Sequence, residues 1–232
     1  MTIEKEALAG IQVLIFDLDG TLIDSKVDLV LSVNATRERM GMGPLPAQVV
    51  SSYVGRGVTV LIRRSLGEAA TEENVERATT IFLAYYREHM LDNTVTYDGV
   101  REALRDLTAY KLAVLTNKPV NFSRAILSGL GLAHFFLYVY GGNSFEHKKP
   151  DPVGVLKLMN DLSVGPRQTM IVGDSDTDVL TGRNAGVWTC GVTYGLAPHT
   201  LKTAPPDVLL GDLRQLPPLL NGKEALPAPD EM

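Results

Sequence analysis

The sequence predicts a Rossmann-like α/β fold, in which a doubly wound parallel sheet carries a small all-helical segment inserted after its first strand. Three observations support this prediction: short apolar runs recur along the chain, helical patterns separate the later runs, and residues 25–93 show helical patterns throughout. Continuous apolar runs are typical of strands buried on both faces, and their alternation with helices is typical of a parallel sheet.

The first predicted strand, Ile11–Phe16, ends at an acidic turn that contains a glycine. Five later apolar runs have a similar length and are also predicted to be strands: Leu112–Leu115, Leu137–Tyr140, Met170–Val172, Val187–Val192 and Val208–Leu210.

Helix start and stop signals flank the patterns between these strands. The segment Val120–Leu130 follows a proline and precedes a glycine, a common arrangement at helix ends. Two further helices are predicted, one from Asp151 to about Leu162 and one over Asp176–Ala185.

Residues 25–93, called the cap segment below, interrupt this alternation. Thr71 is predicted to cap the last of its helices, whose apolar residues repeat on one side and end at Tyr85 or Tyr86. We therefore expect residues 1–24 and 94–232 to form an α/β core and the cap segment to form a helical domain. Its four predicted helices are Lys26–Met40, Ala47–Tyr53, Val58–Leu66 and Glu72–Met90.

Composition narrows the functional classes. The 232 residues are 45% hydrophobic and 21% charged, with a net charge of −5, which argues against a nucleic-acid groove lined with Lys and Arg. The single cysteine excludes an internal disulfide. Neither a signal peptide nor a membrane span is indicated, so we expect a soluble cytoplasmic protein without a membrane partner. Residues 221–232 lack periodicity and are expected to be frayed.

Acidic residues follow two of the predicted strands. Asp17 and Asp19 come directly after the first strand, and Asp174 follows a later one. In an open parallel sheet, ligands bind outside the carboxyl ends of the strands, so these carboxylates should meet at one edge. Clustered carboxylates repel each other unless a cation is present, and oxygen ligands favour a hard ion. The sequence therefore predicts a Mg²⁺ site.

Asp17 and Asp19 are two positions apart on an extended segment, so both side chains can point to one side. One carboxylate can bind metal and attack phosphorus, while the other serves as general acid and then as base. Gly20 allows the chain to turn sharply beside a ligand.

Three more polar residues are candidates for phosphate binding. Thr116 and Asn117 offer side-chain and backbone groups at a strand-to-helix turn, a natural site for phosphate oxygens. Lys149 lies just before a predicted helix and is followed by Pro150 and Pro152, which fix the backbone and aim the lysine. It could offset the charge of a transferring phosphoryl group.

Taken in order, these segments resemble the haloacid dehalogenase superfamily of phosphohydrolases. Four motifs carry the resemblance: Phe16–Ser25, Thr116–Lys118, Lys149–Pro152, and Gly173–Ser175 with Asp178. The resemblance spans about Ile11 to Leu216. It implies a phosphatase that acts on a small phosphate ester with Mg²⁺ as cofactor.

The resemblance also implies roles for individual residues. Asp17 would form the aspartyl-phosphate, and Asp19 would act as acid and base while giving its backbone carbonyl to Mg²⁺. Asp174 would be a further metal ligand, and Asp178 would hold the metal's water shell or Lys149. Thr116 and Asn117 would bind the phosphoryl group. Dehalogenases of the superfamily have an aromatic residue in the place of Asp19, and transport ATPases have a threonine, so Asp19 indicates a phosphatase or phosphomutase.

Within the superfamily, the cap segment is similar to that of phosphoglycolate phosphatases, chiefly at Tyr53–Val58. The stretch Gly141–Phe145 is also similar, although those enzymes usually have Asp where Asn143 stands. This similarity implies 2-phosphoglycolate as substrate. Arg56, between two glycines, could then bind the substrate's carboxylate.

Other readings share parts of this pattern. A phosphomutase of the β-phosphoglucomutase type, or a pyrophosphatase, would have the same catalytic core and differ in the cap segment. A phospho-receiver domain also combines a phosphorylated Asp with Thr and Lys, but it lacks a helical insertion after the first strand. An inactive binding scaffold would not need Asp17, Asp19, Lys149 and Asp174 together. The sequence leaves the oligomeric state open.

Overall fold

A computed structural model describes residues 8–221 of the chain. Eight strands and nine α-helices occur in this part, along with several short 3₁₀ turns. The strands are β1 (Val13–Phe16), β2 (Ile23–Asp24), β3 (Val95–Thr96), β4 (Lys111–Leu115), β5 (Tyr138–Tyr140), β6 (Thr169–Gly173), β7 (Trp188–Val192) and β8 (Val208–Leu210). The helices are α1 (Lys26–Arg39), α2 (Ala47–Ser51), α3 (Val58–Leu66), α4 (Glu72–His89), α5 (Val100–Asp106), α6 (Val120–Gly129), α7 (Val153–Leu162), α8 (Asp176–Ala185) and α9 (Leu216–Leu220).

Six strands form one parallel sheet in the order β5-β4-β1-β6-β7-β8. The chain starts near the centre with β1, builds one side through β4 and β5, and then returns to build the other side from β6. The predicted α/β fold class is therefore confirmed, with strand boundaries shifted by one or two residues.

The two faces of β1 bury alternate side chains, as expected for a strand covered on both sides. Val13 and Ile15 pack in a cluster with residues of α7, while Leu14 and Phe16 pack in a larger cluster with residues of α5 and α6. Helices thus cover both faces of the sheet. This cover explains why β1 is apolar throughout, while the residue that follows it, Asp17, lies at the sheet's edge.

The four predicted helices of the cap segment are present as α1 to α4. Thr71 caps α4 as predicted, its side chain accepting a hydrogen bond from the Asn74 N–H at 3.2 Å. The buried stripe of α4 includes Tyr86, while Tyr85 is only half-buried, which resolves the choice between these two tyrosines.

Sequence reasoning missed several short elements. It did not predict α5, α9 or the antiparallel pair of β2 and β3, which are too short to show a clear period. The pair matters because its two strands are the connections that lead into and out of α1–α4. Residues 222–232 of the segment predicted to be frayed lie outside the described residues. No helix within residues 8–221 is long and apolar enough to cross a lipid bilayer.

Asp28, in the first turn of α1, binds the segment that leads from α4 to β3. Its buried carboxylate accepts hydrogen bonds from the backbone and side chain of Asn93 at 2.8–3.0 Å, and from those of Thr94 at 2.7–2.8 Å. One side chain of α1 therefore holds the chain where it leaves α4 and returns to the sheet.

We expect Asp28→Ala to lower the free energy of unfolding by about 3 kcal/mol, because it leaves the N–H and hydroxyl donors of the buried Thr94 without an acceptor. Chemical denaturation measures this change. Glu38→Ala, at an exposed position of the same helix, is the control and should have little effect. Equal stability of the two variants would contradict the linking role of Asp28.

Candidate active site

A buried lysine between carboxylates forms the centre of the site. Lys149 Nζ lies 2.8 Å from Asp17 Oδ1 and 2.6 Å from Asp178 Oδ1. Asp17 follows β1, Asp178 lies in the first turn of α8, and Lys149 precedes α7. The sheet order brings them together, because β1 and β6 are neighbours and the Asp17 N–H donates to Val172 O at 2.9 Å.

Asp174, which directly follows β6, completes a group of three carboxylates. One oxygen each of Asp17, Asp174 and Asp178 lies within 4.8 Å of the others, and all three residues are buried. Asp174 Oδ2 accepts hydrogen bonds from the N–H groups of Leu196 and Ala197 at 2.7 and 2.9 Å. Three carboxylates and a single ammonium leave an excess of negative charge in this cluster.

The pKa values of the cluster reflect this excess. Burial, followed by the charges of Asp178 and Asp17, raises the pKa of Asp174 to about 8. Burial also raises the pKa of Asp17 to about 6, although the charge of Lys149 opposes the shift. For Lys149, burial alone would lower the pKa, but the carboxylates of Asp17 and Asp178 outweigh it and raise the value.

Two glycines allow the carboxylates to approach the backbone. A Cβ added at Gly173 would lie 2.1 Å from Asp178 Cγ. At Gly20, where φ is +91°, it would lie 2.4 Å from Asp174 Oδ2. Gly20 was predicted to turn beside a ligand, and its backbone lies directly against one carboxylate of the cluster.

The Asp19 side chain points away from this cluster. Its carboxylate pairs with Lys118 Nζ at 2.8 and 3.0 Å and accepts a hydrogen bond from Ser25 Oγ at 2.5 Å. The sequence predicted that Asp17 and Asp19 share one side, and both do border a common cavity between the sheet edge and α1–α4. Their carboxylates nevertheless have different partners, which suits two different roles.

A family model described as haloacid dehalogenase-like hydrolase matches residues 14–192. The chain belongs to the haloacid dehalogenase-like hydrolases. A phosphoglycolate phosphatase from Colwellia psychrerythraea is 39% identical over 192 residues, covering 79% of this chain and 85% of the relative. A phosphoglycolate phosphatase from Pseudomonas putida is 38% identical over 216 residues, covering 89% of this chain and 79% of that relative.

A solved structure from Haemophilus somnus, described as a predicted phosphoglycolate phosphatase, has a TM-score of 0.85 and 31% identity to this hydrolase. The structural match covers 89% of this chain and 96% of the Haemophilus somnus chain. The predicted family and the prediction of an enzyme, a phosphoric monoester hydrolase, are both confirmed by these comparisons.

The donor set of this hydrolase fits a divalent cation. Asp17, Asp174 and Asp178 offer only oxygen ligands, as hard cations prefer. The raised pKa values of Asp17 and Asp174 indicate negative charge that a cation would offset. Asp19 was also predicted to be a ligand. Its carboxylate is not part of this group, so only its backbone carbonyl remains for that role.

Thr116 and Asn117 lie at the predicted strand end, but the Asn117 side chain has structural partners. Its Nδ2 donates to Gly55 O at 2.9 Å and to Lys149 O at 3.0 Å, and its Oδ1 accepts from the Lys149 N–H at 2.9 Å. The Asn117 amide thus connects Gly55 of the cap segment with the backbone of Lys149. Thr116 Oγ1 accepts from the Lys118 N–H at 3.3 Å.

Arg56 borders a second cavity together with Asp17, Asp19 and Asp174, whereas Asn143 lies beside the start of α6. The Arg56 side chain is 57% exposed, with its guanidinium 3.9 Å from Asp176 Oδ2. Asn143 Oδ1 accepts a hydrogen bond from the Val120 N–H at 2.9 Å, at the start of α6. An aspartate could supply the same acceptor, so Asn143 preserves this contact.

Two residues of the site were missed by sequence reasoning. Lys118 is buried against Asp19, and its Nζ lies 4.8 Å from the centroid of the Tyr86 ring, on α4. Lys118 stood inside a recognised motif and could have been named. Tyr86 gave no such signal, because its position in an apolar stripe is typical of core residues.

We expect Asp174→Asn to stabilise the protein without metal, increasingly so as the pH rises. A pKa of about 8 in the folded state, against an ordinary value of 3.8, means that folding favours the protonated acid. This stabilisation is complete below about pH 4 and is lost as the pH rises towards 8. Asparagine keeps an acceptor for the two N–H groups and carries no charge.

Thermal melting in EDTA at about pH 5 and about pH 8 measures the effect. At the higher pH the melting midpoint of Asp174→Asn should exceed that of the wild type by at least a few degrees, since about 1 kcal/mol corresponds to roughly 2–4 °C in a protein of this size. The exposed Asp106→Asn is the control. Added Mg²⁺ should raise the midpoint of the wild type more than that of Asp174→Asn. A variant that melts below the wild type at both pH values would contradict the repulsion.

Proposed function

We propose that this hydrolase is a Mg²⁺-dependent phosphatase that cleaves 2-phosphoglycolate through an aspartyl-phosphate on Asp17. The substrate is supported by relatives that are named phosphoglycolate phosphatases. The mechanism rests on one observation, a buried nucleophile candidate that is paired with a buried lysine beside two further carboxylates.

Asp17 is suited to attack phosphorus. Its pKa of about 6 leaves the carboxylate mostly ionised at neutral pH, and burial removes the water that would weaken it as a nucleophile. As its oxygen bonds to phosphorus, the bond to the ester oxygen breaks. Lys149, 2.8 Å from Asp17 Oδ1, offsets the negative charge of the incoming phosphoryl group.

Asp19 is suited to proton transfer. In its acid form it would protonate the departing ester oxygen, and as carboxylate it would then take a proton from the water that attacks the aspartyl-phosphate. This second attack breaks the bond between Asp17 and phosphorus and releases inorganic phosphate. Ser25 and Lys118 hold the carboxylate in position through their contacts of 2.5 and 2.8 Å.

Mg²⁺ would be held by Asp17, Asp174 and the backbone carbonyl of Asp19, while Asp178 orients Lys149 from a distance of 2.6 Å. The ion, when bound, would supply positive charge to the phosphoryl oxygens. Backbone groups at Thr116 and Asn117 are the further candidates for phosphate binding.

The cap segment, residues 25–93, is proposed to be a separate domain that covers the site. Its connections are short, since β2 and β3 alone join α1–α4 to the core. It contacts the site through Gly55 O, which accepts from Asn117 Nδ2. A domain in this place would exclude water and select the substrate.

Asp17→Asn should lower the rate of phosphate release from 2-phosphoglycolate at least a thousand-fold, a loss of about 4 kcal/mol of transition-state stabilisation, because the amide is a poor nucleophile. The measurement is inorganic phosphate release with Mg²⁺ and with EDTA, which should also abolish turnover. Asp98→Asn, at an exposed position, is the matched control.

A panel of sugar phosphates, nucleotide monophosphates and pyrophosphate tests the substrate in the same assay. A clear preference for another substrate would refute 2-phosphoglycolate, and conversion of a sugar phosphate to its isomer would identify a phosphomutase. Full activity of Asp17→Asn would refute the mechanism.

Asp19→Asn should separate the two chemical steps. With 2-phosphoglycolate, loss of the general acid should lower kcat by about 10²–10⁴-fold. With 4-nitrophenyl phosphate, the leaving nitrophenolate needs little protonation. Transfer of the phosphoryl group to Asp17 should therefore remain fast in this variant, while hydrolysis of the aspartyl-phosphate slows. Rapid mixing should then show a burst of nitrophenol close to one equivalent per site, whereas equal losses on both esters without a burst would contradict this role.

A further inference from the structure

A small cavity lies between the sheet edge and the cap segment. Its volume is about 50 Å³, a few times the roughly 10–15 Å³ that a single water molecule requires. Apolar side chains of α1, α3, α4 and α6 form most of its wall, among them Leu29, Leu61, Phe82 and Phe122. Asp17 and Asp19 also border it, so the cavity is continuous with the proposed reaction centre.

Lys118 and Tyr86 also line this cavity. The mechanism above uses Lys118 only to hold Asp19 and does not use Tyr86. Lys118 has three N–H donors, and it donates to both carboxylate oxygens of Asp19 while its ammonium also lies beside the Tyr86 hydroxyl. Its charge faces the Tyr86 ring, 4.8 Å from the centroid. A second anion in the cavity would therefore find a buried cation.

The Tyr86 hydroxyl is buried, and within the described part of the chain its O–H proton has no acceptor, because its polar neighbour, the Lys118 ammonium, can only donate. Thr21 Oγ1, Thr79 Oγ1 and Asp17 Oδ1 are also buried there without a well-directed hydrogen bond, and of these three only Asp17 Oδ1 belongs to a residue of the cavity wall. Asp17 Oδ1 at least has Lys149 as an ion-pair partner. Burying an O–H donor without an acceptor costs about 1–3 kcal/mol, and an anion bound in the cavity would remove this cost.

We propose that Lys118 and Tyr86 form the subsite that binds the carboxylate of the substrate, with the ammonium pairing with it and the Tyr86 hydroxyl donating a hydrogen bond. This inference rests on the proposed function. In 2-phosphoglycolate a single methylene separates the ester oxygen from the carboxyl carbon. Asp19 must reach that ester oxygen, and Lys118 touches Asp19, so the carboxylate falls next to Lys118.

This subsite takes over the role that the sequence suggested for Arg56. Arg56 is largely exposed and pairs with Asp176 at 3.9 Å, and it does not line the cavity of Lys118 and Tyr86. A buried cation and a buried hydroxyl discriminate more strongly than an exposed arginine. A substrate without the carboxylate leaves the buried O–H of Tyr86 without an acceptor and leaves Lys118 with Asp19 as its only anionic partner among the described residues. The favoured class is therefore short 2-phosphooxy acids.

The test compares 2-phosphoglycolate with ethyl phosphate, in which a methyl group replaces the carboxylate. The measured quantity is the ratio of kcat/KM for the two esters, determined on one preparation, so the fraction of folded enzyme cancels. Tyr86→Phe removes only the hydroxyl and should lower this ratio about ten- to a hundred-fold. Tyr85→Phe, the same change at the neighbouring position of α4, should leave it at the wild-type value.

The two proposals fail in different ways. If the wild type does not prefer 2-phosphoglycolate to ethyl phosphate, the proposed substrate is wrong. If the wild type shows the preference and Tyr86→Phe retains it in full, the substrate stands and the subsite is refuted. A fall of the ratio in Tyr86→Phe but not in Tyr85→Phe supports the subsite.

Discussion

The contact on which the site depends is the buried ion pair of Lys149 with Asp17 and Asp178. Charges this deep in a protein are costly unless they are paired and hydrogen-bonded, and removing one partner leaves the other without compensation. Lys149 has partners at 2.8 and 2.6 Å, so it is held from two sides. The same contacts join three chain segments that are far apart in sequence, since Asp17 follows β1, Lys149 precedes α7 and Asp178 lies in the first turn of α8.

The arrangement is asymmetric in charge, and that asymmetry suits an enzyme more than a structural ion pair. Asp174 adds a third carboxylate without a second ammonium, and its pKa rises to about 8 because burial and its neighbours disfavour the charged form. The metal-free protein therefore carries unfavourable electrostatics at neutral pH. Perturbed acids of this kind gather at functional sites, where a cation or a substrate offsets the cost.

Asp19 is separated from this cluster by its own partners. Lys118 and Ser25 bind its carboxylate, so two aspartates that are two residues apart have different environments. Lys118 in turn faces α4 of the cap segment through the Tyr86 ring. If Asp19 is the general acid that we propose, its contact with Lys118, and that of Lys118 with Tyr86, would link proton transfer to the part of the chain that would select the substrate.

The sequence by itself determined the fold class, the helices of residues 25–93 and the aspartates that end β1 and β6, because these features depend on local periodicity and on strand ends. Only the tertiary structure decided how the polar groups pair. Asn117 was expected to bind phosphate, but its amide holds Gly55 and Lys149. Tyr86 was recognised only as part of an apolar stripe, because sequence periodicity gives the buried face of a helix and not the atoms opposite it. Pairing across the cavity depends on distances between segments distant in sequence, and these are set only when the sheet and the helices pack together.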